Sequence, residues 1–167
     1  MASPQEFRLY TFVAGLYLSE LQKGLQTAHV AAEMSQYKQS SSQARDFNTW
    51  VREDKTIIIC TAGNHKGVVD CWAELERINS ALCLPAAIFR EDEQSMNGMA
   101  TACGVIVPKK YWDVKFFDAL VPGSPSPAGE AYWEHGYEKD GQLLQRRYPL
   151  THAEGQFCSH IKQFRLA

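Results

Sequence analysis

The sequence predicts an α/β fold: a two-layer or three-layer sandwich built on a four-stranded mixed β-sheet, with a C-terminal hairpin and helix as an extension. Three observations carry this. Apolar patterning runs in the order β-α-β-α-β-β over roughly the first 108 residues, the alternation expected of layered α/β domains. Ile57-Ile58-Ile59-Cys60 is a continuous, largely β-branched run, as in a central strand buried on both faces. Beyond Pro108 the character changes, with Pro122-Gly123-Ser124-Pro125-Ser126-Pro127 as a rigid loop. The domain is therefore placed at residues 7–108 and a C-terminal extension packed on it at residues 109–167. A tail with so few apolar groups would be marginal alone.

The elements follow in chain order. Arg8 to Gly15 is β-rich and ends on a glycine. Ser19 to Gln39 reads as a long helix, opened by the capping box Ser19-Glu20-Leu21-Gln22, and Ser40-Ser41-Ser42-Gln43 as a polar loop. Lys55 to Thr61 is the second strand. Gly67 to Leu82 is helical, with Val68, Trp72, Leu75 and Ile78 at steps of three and four. Pro85 breaks it. Ala86 to Phe89 and Ala100 to Val107 are the third and fourth strands, separated by a polar loop with Gly98. In the tail, an aromatic stretch from Tyr132 to Tyr137, an Asp140-Gly141 turn and a strand from Gln142 to Tyr148 predict a hairpin. Thr151-His152-Ala153-Glu154 caps a last helix with Phe157, Ile161 and Phe164 on one face.

Composition removes several function classes. Hydrophobic residues make up 45% and charged residues 22%, which excludes wholesale disorder. No apolar run is long enough for a membrane helix, so no membrane partner is expected. The N-terminus lacks the basic start and apolar core of a secretion signal. A net charge of -2 and a pI near 6.2 disfavour nucleic-acid binding by bulk positive charge, leaving only local basic patches. Cys60, Cys71, Cys83, Cys103 and Cys158 are odd in number, lack CxxC spacing and sit mostly in apolar runs. They read as free thiols in a reducing compartment, hence the cytoplasm. A metal site of Cys158, His152 and His160 is the alternative, but the spacing is unlike that of zinc sites, and no cofactor is expected. Gly63-Asn64-His65-Lys66-Gly67 is too short for a phosphate-binding loop.

The first helix carries the chemistry. Leu21, Leu25, Ala28 and Ala32 form an apolar stripe expected to face the sheet. One position on, about 100° around the helix, run Gln22, Gln26, His29 and Glu33. Two amides and an imidazole in line are unlike the mixed Lys and Glu of an ordinary exposed face.

The segments Tyr10-Thr11-Phe12-Val13 and Leu18 to His29, with Gln26-Thr27-Ala28-His29 as a Gln-x-x-His signature, resemble the opening of the type 2 peptidyl-tRNA hydrolase family, in a divergent form closest to bacterial and phage members. The order of Trp50, of Phe89-Arg90-Glu91-Asp92 and of Gly98-Met99-Ala100-Thr101-Ala102 also matches. The resemblance covers about residues 7 to 108. Gln22 stands where the family has a lysine, Lys23 is displaced by one residue, and Asp92 to Thr101 is a longer segment than the family's.

The resemblance implies hydrolysis of the ester that joins a peptide to tRNA. His29 would position or deprotonate water, Gln26 and Thr101 would donate to the ester or oxyanion, and Asp92 would orient His29 or the water. Gln22 and Lys23 would face the substrate. Lys109, Lys110, Arg146 and Arg147 would contact phosphates, and Trp50 would stack on a terminal base. Trp112 reads instead as hydrophobic packing. The implied partner is tRNA. A second copy of the chain and a protein held by the extension are further candidate partners. The alternative function is a catalytically inactive member of the same fold that binds protein or RNA through the extension.

Overall fold

The computed structural model describes residues 6–16, 19–36, 40–116, 131–139, 142–164 and Leu166. The main sheet holds β1 (Phe7–Ala14), β2 (Thr56–Gly63), β3 (Ala86–Arg90) and β4 (Ala100–Pro108) in the order β2-β1-β4-β3. β1 and β2 are parallel, and β4 is antiparallel to both β1 and β3, so the sheet is mixed as predicted. The helices are α1 (Glu20–Gln36), α2 (Ser41–Thr49), α3 (His65–Leu82), α4 (Glu93–Met96), α5 (Lys109–Trp112) and α6 (His152–Lys162). A second sheet holds β5 (Lys115–Phe116), β6 (Ala131–Lys139) and β7 (Gln142–Pro149) in that order. β6 and β7 form the expected antiparallel hairpin; its turn, Asp140-Gly141, and the 122–127 proline loop lie outside the described residues. Among the described residues no helix is long and apolar enough to cross a membrane.

Helices cover both faces of the main sheet, so the arrangement has three layers. On one face, Phe7, Leu9, Val13, Ala87, Ala102 and Ile106 pack against Val30 and Met34 of α1 and against Trp50. On the other, Phe12, Cys103, Val105 and Val107 pack against Val68, Leu75 and Ile78 of α3 and Phe157, Cys158 and Ile161 of α6. α6 is opened by its capping box: Thr151 N–H donates to Glu154 at 2.8 Å, and Glu154 N–H donates back to the Thr151 hydroxyl at 3.3 Å. Phe164 adds a ring contact to Phe12, with centroids 4.6 Å apart.

Three expectations are corrected. β2 is an edge strand, with Ile57 45% exposed, while β4 is buried along its whole length. An apolar run marks burial without saying where in the sheet the strand lies. The small residues of β4 are what let helices close in from both sides. Second, α1 is described over Glu20–Gln36, with residues 37–39 outside the described residues, and Ser40–Gln43 opens a separate helix. Ser40 N–H donates to the Gln43 side chain at 2.9 Å and Gln43 N–H to the Ser40 hydroxyl at 3.3 Å, so the polar segment read as a loop is itself a capping box. Third, the Leu21/Leu25/Ala28/Ala32 stripe faces solvent, Leu21 being 84% and Leu25 55% exposed. The sheet instead receives Gln26, Thr27, Val30 and Met34.

The reason lies in the surface beneath α1. A Cβ at Gly104 would stand 2.8 Å from the Tyr10 carbonyl oxygen and 3.0 Å from both Thr11 and Val30. Only glycine lets the helix come this close. The Thr11 and Thr27 hydroxyls then hydrogen-bond across the buried contact at 2.9 Å. A face carrying hydroxyls at close range takes the polar side of the helix.

Candidate functional site: Gln26, Glu91 and Thr101

Strand alternation would put Thr101 on the same side as Cys103, toward α3. It does not, because the pairing slips: Phe89 pairs with Ala102 while Arg90 pairs with Ala100. Thr101 is the extra residue of a β-bulge, a device that re-aims a side chain. Its hydroxyl points under α1 and is fully buried.

There it meets Gln26, 4% exposed. The Thr101 hydroxyl lies 2.9 Å from Gln26 Oε1 and 3.1 Å from Glu91 Oε1. Gln26 Nε2 donates to the same Glu91 oxygen at 3.1 Å. Three elements thus converge: α1, the end of β3 and the start of β4. The network fixes which way the Gln26 amide faces, since its oxygen is turned to a hydroxyl and its nitrogen to a carboxylate. Among the described residues, one N–H and one lone pair of that amide have no other partner.

His29 follows one turn after Gln26, half-buried, its ring stacked on Phe89 with centroids 4.3 Å apart and planes 10° from parallel. The stack fixes the plane of the imidazole beside the network. Asp92 is exposed at the start of α4, its backbone carbonyl taking the Met96 N–H at 3.1 Å. The carboxylate joined to Gln26 and Thr101 is therefore its neighbour Glu91, which the sequence offered only as a member of the Phe89-Arg90-Glu91-Asp92 segment. The adjacent Phe89-Arg90-Glu91-Asp92 carried the signal; the bulge that selects one acid over the other did not show.

The residues expected to bind substrate fare differently. Gln22 is exposed and caps α1, its amide oxygen 3.0 Å from the Ser19 hydroxyl. Lys23 pairs with Glu20 at 3.0 Å. Trp50 is corrected: it is 6% exposed, its Nε1–H donates to the Thr56 carbonyl at 3.0 Å, and its ring faces Phe47. A π-helical turn over Trp50–Asp54 tucks it beneath β1, where no base could stack on it.

Lys109, Lys110 and Arg147 of the expected basic groups hold partners within the chain. Lys110 pairs with Glu154 at 2.7 Å and lies over the Tyr111 ring. Arg147 pairs with Glu134 across the hairpin at 2.9 Å. Lys109 lies 3.9 Å from Glu6. Arg146 stands opposite His135 in the hairpin register. Burial by itself would raise the Glu154 pKa, but Lys110, the Thr151 N–H and the Tyr111 hydroxyl outweigh it and hold the carboxyl down at about 2. Tyr111 is pushed up by burial and by that same hydrogen bond. Trp112 packs, with the Arg8 guanidinium 3.4 Å from its ring centre. The five cysteines are free, four buried and Cys83 exposed.

No protein-family model matches this chain, and no curated protein aligns with it.

Proposed function

We propose that the Gln26 network with His29 is the site of an ester hydrolase whose substrate is peptidyl-tRNA or a related peptidyl or aminoacyl ester. The observation that carries this reading is the meeting of the buried Gln26 and Thr101 with the half-buried Glu91 from three elements, one helical turn from an imidazole held by a ring stack. A bulge and a buried polar network are costly unless fully paired, and they hold a side chain in one orientation. In the proposed reaction the free N–H of Gln26 donates to the ester carbonyl as negative charge develops there. Thr101 and Glu91 keep the amide from turning. His29 takes a proton from the attacking water and gives it to the departing ribose oxygen as the ester C–O bond breaks.

Purified protein and a labelled peptidyl-tRNA test this directly. The parent chain should release peptide, and His29→Ala should slow release by about 10²-fold or more while the protein stays folded. Gln26→Leu should remove most of the rate as well. Full release by both variants would sink the proposal.

The second reading is a binding module that has kept the fold and lost turnover. The pairing of Lys110 and Arg147 with acids of the chain favours it, because phosphate contacts would have to compete with those carboxylates. That reading expects a protein or RNA to bind the extension with no release of peptide.

A further inference from the structure

A second polar cluster lies across the sheet from the first. Cys71 of α3 and His160 of α6 face each other, with Sγ 3.6 Å from Nε2. The other ring nitrogen of His160, Nδ1, is held by the Gln163 amide at 2.9 Å. The imidazole thus stands between the thiol and the amide, one on each ring nitrogen. All three border an open cavity of about 890 Å³ between α3 and α6. The cavity reaches them over Gly155, where a Cβ would touch nothing within 4 Å. Asp70 and Glu74 lie along its α3 side, paired with Lys66 and Arg77.

We propose that this groove is an acyl-transfer site for small carboxylic esters, with Cys71 as nucleophile, His160 as its proton acceptor and Gln163 as the positioning residue for the imidazole. The site is separate from the Gln26 network and independent of the function proposed for it.

The amide suits both states of the ring. As placed, Gln163 Nε2–H donates to Nδ1, which puts the ring proton on Nε2, facing the sulfur of a thiolate. A half-turn of the amide offers Oε1 to the N–H of the other tautomer and leaves Nε2 free to accept the thiol proton. In the reaction Cys71 gives its proton to His160 and the sulfur attacks the ester carbonyl. A C–S bond forms as the C–O bond breaks, and the alcohol leaves with the proton from His160. Water then attacks the thioester, its proton passing through His160 to the departing sulfur, and free acid is released.

The charges around the sulfur support this. Facing Cys71 are Cys60 from β2, Cys103 from β4 and His160 from α6, with Glu74 of α3 beside the imidazole. The Cys103 thiol donates to the Val68 carbonyl, 3.9 Å away. Around Cys71, the neighbouring Cys103 thiol and the His160 imidazole outweigh burial and lower the Cys71 pKa. Burial pushes Cys60 up to about 11 and Cys158 to about 12, and Cys103 is also raised. Of the four buried cysteines, Cys71 is the one whose pKa is lowered and whose sulfur faces an imidazole.

The test uses the full chain carrying Cys83→Ser, which removes the exposed thiol, and p-nitrophenyl acetate as probe. The expected result is a burst of nitrophenolate of one equivalent per chain, with one acetyl group found on the Cys71 peptide. The acylation rate should rise with pH through a midpoint below that of a free thiol. Cys71→Ser should abolish the burst. His160→Gln, which keeps the volume, should slow acylation by about 10²-fold and move the midpoint up toward about 8.5. Gly155→Leu, which adds a side chain in open space within a helix, should block the groove and suppress labelling in a protein of unchanged circular dichroism. An unlabelled Cys71, a burst that survives Cys71→Ser, or a Gly155→Leu protein acetylated as fast as the parent each overturns the proposal.

Discussion

The two faces of the main sheet are packed by different rules. The face under α3 and α6 is packed mainly by large apolar side chains, with Phe12, Leu75 and Phe157 each fully buried there and the Cys71–His160 pair at its margin. The face under α1 is built close and partly polar, with Gly104 and the paired hydroxyls of Thr11 and Thr27 at its centre and Gln26, Glu91 and Thr101 at its end. Large side chains give stability through area removed from water; small ones give it through close approach and satisfied hydrogen bonds. The difference teaches which helix can be read from hydrophobicity. α3 and α6 follow the apolar stripe, and α1 inverts it.

The largest effect should come from the apolar face. Phe157→Ala removes a fully buried ring from α6 and should cost about 3–5 kcal/mol, read as a shift of the urea midpoint. A loss below about 1 kcal/mol would mean that α6 is not part of the sheet's core, and the comparison would lose one side. That size is also why a single helix at the end of the chain matters to the whole domain, whose net stability is only about 5–15 kcal/mol.

Next comes the close-packed face. Gly104→Ala places a methyl against the Tyr10 carbonyl and the Val30 side chain, so either α1 or β1 must move. The expected cost is about 1–3 kcal/mol, from overpacking rather than a cavity. Denaturant unfolding measures it, and a neutral result would show that the helix sits loosely. On a loosely seated α1 the Gln26 network would not hold its geometry. The same variant should therefore slow any ester hydrolysis at His29 more than a loss of folded protein explains.

How legible each face was in the sequence follows from the same contrast. Val68, Leu75, Ile78, Phe157 and Ile161 repeat at helical steps, and the structure buries all of them. The strands were legible as β-branched runs, and Ser19-x-x-Gln22 and Thr151-x-x-Glu154 as capping boxes, because those signals are local. Ser40-x-x-Gln43 carried the same signal and was masked by its serine-rich surroundings. The place of β2 at the edge was not legible, since pairing partners are set by the whole chain. Nor was Thr101: one extra residue in β4 reverses the side it faces, and nothing in Ala100-Thr101-Ala102 announces a bulge. Gln26 and His29 stood out as polar residues in line on a helix. That their side of the helix lies nearer the sheet than the leucines depends on Gly104, some seventy-five residues away in sequence and invisible to any periodicity within α1.

The smallest expected effect is the sharpest check on that inversion. If Leu21 and Leu25 are exposed, the double variant Leu21→Gln, Leu25→Gln should unfold within about 0.5 kcal/mol of the parent, because glutamine is nearly as good a helix former as leucine and no buried contact is lost. Met34→Ala, on the same helix but fully buried, should cost about 2–5 kcal/mol. The two substitutions exchange their effects if α1 is turned so that its leucine stripe faces the sheet. In that orientation Gln26 would leave Thr101 and Glu91, and the polar network would have no helix above it. A nearly silent leucine pair beside a costly methionine therefore tests the seating of α1 and the geometry of the candidate site by one stability measurement, with no assumption about substrate.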